Sequence, residues 1–420
     1  MATEVIESQV QVKFVTKQEK YAVPDNPFTV QSNVLVADLN NVLNALLKDV
    51  HPVLGKPVEF DFLLCGELLC SSLNEHIQEK GISTEDTIEL EYFERFPAPS
   101  PQDCLMHDDW VSTVQANSNW ILTGCYDNSI HIWTAKGKHT LAIPGHTSPV
   151  KAVSWVSLDR NQAVFVSGSH DQTAILWAWD VIGNSVECMM TCRGHEKGIE
   201  SIAVSPDAKY FATGSWDTNV CLWNSSLSDE DSVPSKKRSK PEHGKSREPL
   251  TTLKGHREAV SAVQWLDNKT MLSSGWDHIL KIWDCELGGM TTEIIGNKAF
   301  FDADWSPLSN SIITASADRH IRLYDPRSQE NIVKMTYTSH MGWVQSVCWS
   351  KTYSTHFLSA GYDGQVKLWE TRSPKTPLYD LSGHEDKVLC CDWSNPALLV
   401  SGSCDNTLRI FKAKHANHGI

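Results

Sequence analysis

The sequence predicts a mainly β protein, in which a small α+β domain precedes a larger part made of seven copies of one repeat. The repeat is clearest in Ser167–Trp177, where Asp171 lies four positions after the small hydroxyl residue Ser167, and the aromatic residue Trp177 lies six positions after Asp171. Both spacings are kept in every copy: Thr123/Asp127/Trp133, Ser167/Asp171/Trp177, Thr213/Asp217/Trp223, Ser273/Asp277/Trp283, Thr314/Asp318/Tyr324, Ser359/Asp363/Trp369 and Ser401/Asp405/Phe411. A fixed period of this kind indicates a repeat array, so the repeat has to be explained before any residue is assigned chemistry.

A Gly-His pair, or its remnant, precedes each copy. The intact pairs are Gly145-His146, Gly194-His195, Gly255-His256 and Gly383-His384, and the remnants are Met106-His107, Gly296-Asn297 and Ser339-His340. Successive repeat Asp residues lie 44, 46, 60, 41, 45 and 42 positions apart, and five of these steps fit a four-stranded unit of about 40–45 residues. The pattern closely resembles WD-repeat β-propellers. We therefore predict a seven-bladed propeller over residues 102–420, with a disordered insertion at about 225–249 behind the one long step.

The repeated polar residues have a structural explanation. The Asp suits a turn, and the His can bridge it to the hydroxyl, which can also reach the indole N–H. A closed network of this kind would leave no buried polar atom unpaired. A catalytic triad occurs once in a protein and not in every blade, so we interpret these residues as structural. The clearest members are His146, Ser167, Asp171, Trp177, His195, Thr213, Asp217, Trp223, His256, Ser273, Asp277 and Trp283.

The ends of the repeat region predict how the propeller closes. Only nine residues follow Phe411, too few for a turn and another strand. Gln102–Met106 lies where Leu250–Leu253 and Leu378–Leu381 lie in later repeats. We expect this early segment to supply the missing outer strand of blade seven and so remove an exposed sheet edge.

Composition limits the classes of function. The 420 residues carry a formal net charge of −14, which argues against a broad nucleic-acid-binding face and favours protein partners. No apolar run is long enough to span a bilayer, and the start lacks a signal peptide, so we expect an intracellular protein. The 12 Cys form no CxxC pair and are expected as reduced, packed thiols, with no metal or cofactor of the chain's own. No phosphate loop or separate nucleophile–base pair indicates an enzyme or a small-molecule substrate.

Residues 1–95 do not repeat and predict a separate domain. Strand-like alternation marks Gln9–Val15 and Phe28–Val34, and an apolar stripe predicts a helix over Ala37–Asp49. A strand at Val58–Leu64, a turn at Gly66, a short helix at Ser72–Lys80 and a last strand at Thr87–Phe93 follow, which gives the order β-β-α-β-β(-helix)-β. This order resembles the ubiquitin-like β-grasp. A Pro-rich stretch at 96–101 is expected to act as a stiff linker.

A more specific resemblance rests on Phe60–Leu64, Gly66–Leu69 and Gly81–Glu85, which look like the Notchless-type amino-terminal domain. That domain precedes a WD propeller in two ribosome-biogenesis factors, Notchless itself and the WD-repeat subunit of the PeBoW complex. Seven recognisable repeats, the short chain and the insertion after blade three favour the second. The resemblance implies a non-catalytic assembly factor for the large (60S) ribosomal subunit and its rRNA, found in the nucleus, nucleolus and nucleoplasm.

The same resemblance implies a role for one residue of the first domain. In that family the domain docks on the metal-ion-dependent adhesion site of midasin, a large AAA-type ATPase, and an acidic side chain completes the coordination of the partner's divalent ion, expected to be Mg²⁺. The matching residue is Glu85, and hard cations prefer carboxylate oxygen. With 16 acidic and 7 basic residues, Met1–Arg95 is strongly acidic. The structural alternative is that Glu85 and Asp86 only begin a solvated turn.

The propeller is expected to carry partners on the face that holds the Asp turns. Large aromatic residues just before an Asp, or three places after a His position, are candidate anchors: Trp110, Tyr126, Trp216, Trp276, Phe300, Trp343 and Tyr362. Some of them could instead pack against neighbouring blades. The resemblance implies that the propeller binds the block-of-proliferation subunit, which brings Pescadillo, within the pre-60S particle.

Two further motifs suggest location and an alternative function. The insertion contains a basic cluster that resembles a nuclear-localisation signal: Lys236, Lys237, Arg238 and Lys240. Tyr324-Asp-Pro-Arg327 loosely resembles the Trp-Asp-x-Arg ending of substrate receptors for cullin-type ubiquitin ligases. The alternatives to a PeBoW subunit are therefore a Notchless-like factor or such a receptor.

Overall fold

A computed structural model describes residues 9–50, 57–227, 245–328 and 333–413. The chain divides into two compact units, one drawn from residues up to Pro97 and the other from Ala98–Thr371 with Tyr379–His415. The mainly β propeller class and the preceding α+β region are confirmed. In the described residues, no helix combines the length and the apolar character that crossing a membrane requires.

The first unit is a five-stranded sheet of order β2-β1-β5-β3-β4 with two helices. Its elements are β1 (Gln9–Val15), a 3-10 turn (Glu19–Tyr21), β2 (Phe28–Gln31), α1 (Val36–Val50), β3 (Phe60–Leu64), β4 (Glu67–Leu68), α2 (Leu73–Lys80) and β5 (Ile88–Glu94). Strands β1 and β5 pair in parallel, whereas β1–β2, β3–β4 and β3–β5 are antiparallel. The predicted order includes a strand between β3 and α2, and β4 is that strand. Its bounds could not be predicted, because two residues are too few to show an alternation.

The apolar stripe of α1 explains how the first unit is held together. Leu39, Leu43 and Leu47 recur at helical spacing and are buried against the sheet. Helix α2 begins with a capping box, in which the Ser72 side chain accepts from the Glu75 amide and Glu75 accepts in return. It ends at Gly81, whose φ of 62° is left-handed. Both helix ends are therefore fixed, and the loop to β5 starts from a defined point.

The second unit begins with β6 and continues through the first four blades. Strand β6 is Ser100–Met106, and blade one contains β7 (Val111–Ala116), β8 (Trp120–Cys125), β9 (Ser129–Thr134) and β10 (His139–Pro144). Blade two contains β11 (Val150–Leu158), β12 (Gln162–Ser169), β13 (Thr173–Asp180) and β14 (Ser185–Arg193), and β15 (Ile199–Val204), β16 (Tyr210–Ser215), β17 (Asn219–Asn224), β18 (Ser246–Arg247) and β19 (Thr251–Lys254) lie around blade three. Blade four contains β20 (Val260–Trp265), β21 (Thr270–Gly275), β22 (Ile279–Asp284) and β23 (Gly289–Ile295).

Three more blades complete the ring. They contain β24 (Phe300–Ser306), β25 (Ser311–Ser316), β26 (Ile321–Tyr324) and β27 (Val333–Tyr337); β28 (Val344–Trp349), β29 (His356–Gly361), β30 (Val366–Glu370) and β31 (Tyr379–Leu381); and β32 (Val388–Asp392), β33 (Leu398–Ser403) and β34 (Thr407–Lys412). The innermost strands contact one another in sequence, and β32 returns to β7. The repeats therefore form a closed ring of seven sheets.

Strand β6 closes blade seven. It pairs antiparallel with β34, with Met106 opposite Thr407 and Ser100 opposite Lys412. The prediction that the segment before the first repeat supplies this strand is confirmed. The strand begins at Ser100, so the last two residues of the predicted linker, Ser100 and Pro101, already belong to the propeller.

The insertion is shorter than the sequence suggested. Described structure continues to Leu227 and resumes at Lys245, and β18 adds a fifth strand to blade two, parallel to β14. Thr191 and Ser246 are opposite in this pairing, and the Thr191 amide donates to the Lys245 carbonyl at 2.8 Å. The prediction of a disordered loop over all of 225–249 was therefore wrong at its ends. The basic cluster at 236–240 lies outside the described residues.

Candidate partner-binding surfaces

The repeated polar residues form hydrogen-bond networks inside the blades. In blade four, His256 Nδ1 lies 2.9 Å from Asp277 and His256 Nε2 lies 2.7 Å from the Ser273 hydroxyl, which also accepts from the Trp283 indole at 2.7 Å. Such a hydroxyl–His–Asp set, with its Trp where present, is called a strut network below. The same bonds occur in blade two through His146, Ser167, Asp171 and Trp177, and in blade three through His195, Thr213, Asp217 and Trp223.

The strut networks hold their Asp residues ionised. Burial opposes the charge of Asp171, yet hydrogen bonds from His146 and Thr173 lower its pKa to about 2. The residue after each repeat Asp adopts a left-handed conformation, with φ between 62° and 73°. In five blades of the described structure, the repeat Asp bonds the His of the preceding loop. The exceptions are Asp127 in blade one and Asp318 in blade five. The polar atoms of the bonded Asp and His side chains are occupied by hydrogen bonds within the blade, which leaves them unsuited to acid–base catalysis.

Blades one and five depart from the predicted network. In blade five the loop position is Asn297, and Asp318 instead pairs with Arg322 Nη1 at 3.1 Å. In blade one, His107 Nε2 lies 3.0 Å from the Thr123 hydroxyl, but its Nδ1 has no partner among the described residues. These two blades therefore lack the complete strut network: blade five has Asn297 in place of the loop His, and in blade one Asp127 bonds Ser129 instead of His107.

A row of aromatic side chains follows the Asp turns on one face of the propeller. Successive ring centroids are 5.2 Å apart for Trp216–Trp276, 6.4 Å for Trp276–Phe301, 5.6 Å for Phe301–Trp343 and 5.6 Å for Trp343–Tyr362. Trp110 and Tyr126 form a separate pair at 5.2 Å. These seven residues are called the aromatic belt below. Trp110, Trp216 and Trp343 are each 40–49 % exposed, so the belt offers large apolar surface to a partner.

A buried ion pair connects the two parts of the belt. Lys151 Nζ lies 3.1 Å from Glu200 and donates to the Tyr126 hydroxyl at 3.2 Å. Glu200 also accepts from the Trp216 indole at 2.9 Å and lies 3.2 Å from His170 Nε2. Burial opposes ionisation of Glu200, but the Lys151 ammonium and the two donors lower its pKa to about 2. The pair fixes the orientation of the rings on either side of it.

Sequence reasoning missed Lys151 and Glu200, although the repeat contains a signal for them. Each lies five positions after the His of its Gly-His pair, where other blades have Ser112, Ser261, Gln345 and Leu389. All of these positions line the mouth of a central cavity of about 180 Å³. Opposite charges at this position in adjacent blades would have indicated an ion pair between the blades.

One predicted anchor was wrong. Phe300 is fully buried and packs in the core with Leu280, Ile294 and Tyr324. It lies opposite Ser316, as Val111 lies opposite Cys125 and Val344 lies opposite Gly361. Counting three positions from the degenerate Asn297 therefore overshot by one, because this loop is a residue shorter. The true equivalent of Trp110 and Trp343 is Ala299. Phe301, at the position of Ser112 and Gln345, supplies the ring that joins Trp276 to Trp343.

The Glu85 loop of the first unit is a different kind of surface. It runs from the α2 cap at Gly81 to the first residue of β5, Ile88, which is buried. Glu85 and Asp86 are both exposed, and the Glu85 amide donates to the Ser83 hydroxyl at 3.3 Å. Among the described residues, none bonds the Glu85 carboxylate. This carboxylate is free to reach a ligand outside the chain.

The motif behind the ubiquitin-ligase alternative lies in an ordinary turn. Tyr324 is buried in the core of blade five. The Arg327 guanidinium pairs with Asp325 of the same turn, at 3.0 Å from Nη2 to the carboxylate. The Arg327 side chain is therefore bonded within its own turn.

These features define a WD-repeat propeller protein with a small amino-terminal domain, and comparison with known proteins places it further. A model of the NLE (NUC135) domain matches residues 10–77, and the WD domain, G-beta repeat, matches seven segments between residues 100 and 412. The ribosome biogenesis protein WDR12 homologue of Culex quinquefasciatus is 54 % identical over 98 % of this chain and 97 % of its own. Its counterpart in Drosophila mojavensis is 55 % identical over 99 % of this chain and 98 % of its own. The chain belongs to this family of WD-repeat ribosome biogenesis proteins.

Proposed function

We propose that the protein is a non-catalytic assembly factor in the maturation of the large (60S) ribosomal subunit and its rRNA. Its propeller would hold the block-of-proliferation subunit, and through it Pescadillo, on the pre-60S particle. Its first unit would dock midasin. Family membership supports a role in ribosome biogenesis, and neither matched model, the NLE (NUC135) domain or the WD domain, indicates a catalytic family.

The free carboxylate of Glu85 is the observation that carries the docking proposal. A divalent ion held by a partner with one open position needs an oxygen ligand that no other group occupies. Glu85 meets this need because it is exposed and its carboxylate is unbonded within the described part of the chain. The chain would thus donate one ligand to Mg²⁺ and hold no part of the ion's remaining coordination shell.

The aromatic belt supports the scaffolding part of the proposal. Large rings at the centre of an interface contribute most of the binding free energy, particularly when their orientation is fixed beforehand. The belt has both properties, since Trp216 is 40 % exposed while its indole is tied to Glu200. A propeller partner of the block-of-proliferation type would cover these rings. A nuclear and nucleolar location follows from the proposal, and the basic cluster Lys236, Lys237, Arg238 and Lys240 stays a predicted import signal.

The test is magnesium-dependent capture of midasin's adhesion domain by the full-length chain. Wild type, Glu85→Ala and Asp86→Ala are compared with magnesium and with a chelator. We expect capture by wild type and Asp86→Ala only when magnesium is present, and loss of capture with Glu85→Ala. Asp86→Ala is the matched control because it removes an equally exposed carboxylate from the next position. Capture that survives Glu85→Ala would rule out the role of this carboxylate.

A further inference from the structure

Blade one contains a group of potential metal ligands that the strut network does not use. Cys125, Asp127 and His131 each place a ligand atom within 4.8 Å of the others, and no second such group occurs among the described residues. Cys125 and His131 are buried, whereas Asp127 is partly exposed. The sequence analysis predicted no metal here, because the three residues lie inside a WD repeat.

A second observation is the unpartnered nitrogen of His107. In blades two, three, four, six and seven the equivalent Nδ1 lies 2.8–2.9 Å from the repeat Asp. In blade one that nitrogen is buried without a partner in the described structure, and His107 as a whole is only 7 % exposed. Such an atom costs free energy unless something else binds it.

Comparison with other blades locates the Cys125 side chain. Gly275 and Gly361 occupy the place of Cys125 in blades four and six, since all three lie opposite the first residue of the innermost strand. A Cβ atom on either glycine would lie 2.8 Å from the His Nδ1 and 2.6–2.7 Å from the Asp carboxylate. In blade one that place holds the Cys125 side chain, whose sulfur lies within 4.8 Å of ligand atoms of Asp127 and His131.

The surrounding bonds suit metal ligation. His107 Nε2 lies 3.0 Å from the Thr123 hydroxyl, and the His107 ring centroid lies 5.0 Å from that of His131. The Ser129 hydroxyl contacts both Asp127, at 2.6 Å, and His131 Nε2, at 2.7 Å, and His139 lies 3.1 Å from His131 Nδ1. Hydroxyl and imidazole groups of this kind orient ligands in known sites. In the equivalent of position 131, the other blades carry Ile175, Cys221, Lys281, Arg322, Lys367 and Arg409.

We propose that blade one binds a zinc-type divalent ion through Cys125, Asp127 and His131. One sulfur, one nitrogen and one oxygen, with the fourth position left to water, suit zinc. On binding, the Cys125 thiol releases its proton to solvent and the metal takes its place, while the neutral His131 ligates through the Nε2 lone pair and keeps its proton on Nδ1, which faces His139 Nε2 at 3.1 Å.

The test uses the full-length chain, stripped with a chelator and then titrated with Zn²⁺ or Co²⁺. We expect one tightly held ion per chain, a thiolate-to-cobalt charge-transfer band, and a rise in the thermal midpoint with zinc. Cys125→Ser and His131→Ile should each weaken zinc binding at least tenfold and remove the rise in the thermal midpoint that zinc causes. Both variants copy residues that other blades already hold, Ser169 and Ile175, so we expect the stripped variants to fold like stripped wild type.

The control variant is Cys221→Ser, which removes a buried blade thiol near His195, whose Nδ1 already bonds Asp217. It should bind zinc like wild type. The proposal is overturned if the stripped chain takes up no stoichiometric ion. It is equally overturned if Cys125→Ser and His131→Ile bind as wild type does, because the ion would then sit on exposed thiols such as Cys65, Cys70, Cys104 and Cys188.

Discussion

The strut networks and the aromatic belt are built from adjacent positions of the same repeat, yet they differ in almost every property. Asp217 is partly buried and accepts from His195, whereas Trp216 beside it is 40 % exposed. The strut position is Asp in all seven repeats, while the belt position holds Tyr, His, Trp, Ala or Cys. A residue type that recurs at every blade serves the fold. A large residue that appears at only some blades, and is exposed there, is a candidate for binding.

The largest expected difference between core and belt is at the neighbours Phe300 and Phe301. Phe300→Ala should lower the free energy of unfolding by about 4 kcal/mol, because it empties a fully buried ring site. Phe301→Ala should cost about 1 kcal/mol or less, since that ring is partly exposed and lines the channel mouth. Denaturant titration of the two variants measures this. Equal losses would mean that position 301 is also core, and the belt would be interrupted there.

Asp217→Ala should come next, with a loss of about 3 kcal/mol in unfolding free energy. The change leaves His195 Nδ1 without its partner and removes the acceptor for the Glu196 and Asn219 amides, at 3.0 and 2.9 Å. Asp127→Ala in blade one is the matched control, measured in chelator, because Asp127 does not bond the loop His. We expect it to cost about half as much. A loss as large as that of Asp217→Ala would show that the His contributes little to a strut.

Glu200→Gln tests whether the belt's ion pair stabilises the fold as a strut does. The pKa of the Glu200 carboxyl in the folded protein is about 2, below the ordinary 4.5, so the unfolded chain binds the proton more readily. The stability that this carboxylate contributes is therefore present above pH 4.5 and is lost as the pH falls toward 2. The free energy of unfolding of wild type, relative to that of Glu200→Gln, should therefore fall by about 2 kcal/mol between pH 6 and pH 3. Urea titrations at both values measure it. An unchanged difference between the two proteins would show that Lys151 does not hold the charge.

Trp216→Ala should have the smallest effect on stability and a clear one on binding. We expect about tenfold weaker binding of the block-of-proliferation partner, about 1.4 kcal/mol, with less than about 1 kcal/mol lost in unfolding. Tyr210→Ala is the control, because Tyr210 lies in the same blade, is also 40 % exposed and is not part of the belt. Calorimetric titration of both variants measures the affinities. Equal losses, or none with Trp216→Ala, would place the interface elsewhere.

The sequence predicted the blades well because each depends on short spacings that survive divergence. The hydroxyl, Asp and aromatic residue keep their offsets even in blade five, where the Gly-His pair is lost. The closing strand was predictable for a related reason, since the last repeat visibly lacked one. The helix α1 was predicted one residue late at its start: it begins at Val36, which lies three positions before Leu39 and packs against the same core.

The errors arose where position depends on packing between elements. Phe300 was misplaced because its offset was counted from a degenerate loop, whereas strand pairing with Ser316 sets its orientation. Strand β18 was missed because two residues that pair with a distant edge carry no local pattern. Lys151 and Glu200 were missed because each looks like a solvated charge until two blades are placed side by side. The Glu85 prediction came from a motif, and the exposed loop is compatible with it.

The pairing of β6 with β34 has a consequence for how the chain folds during its synthesis. Strand β6 leaves the ribosome roughly 300 residues before its partner does, which at about 5–20 residues per second is a delay of about 15–60 s. Throughout that time its pairing edge has no native neighbour, and such edges invite pairing with other chains. We expect nascent chains to need a chaperone over this interval. Ring closure would then be the last step of folding, completed only when Thr407–Lys412 emerges.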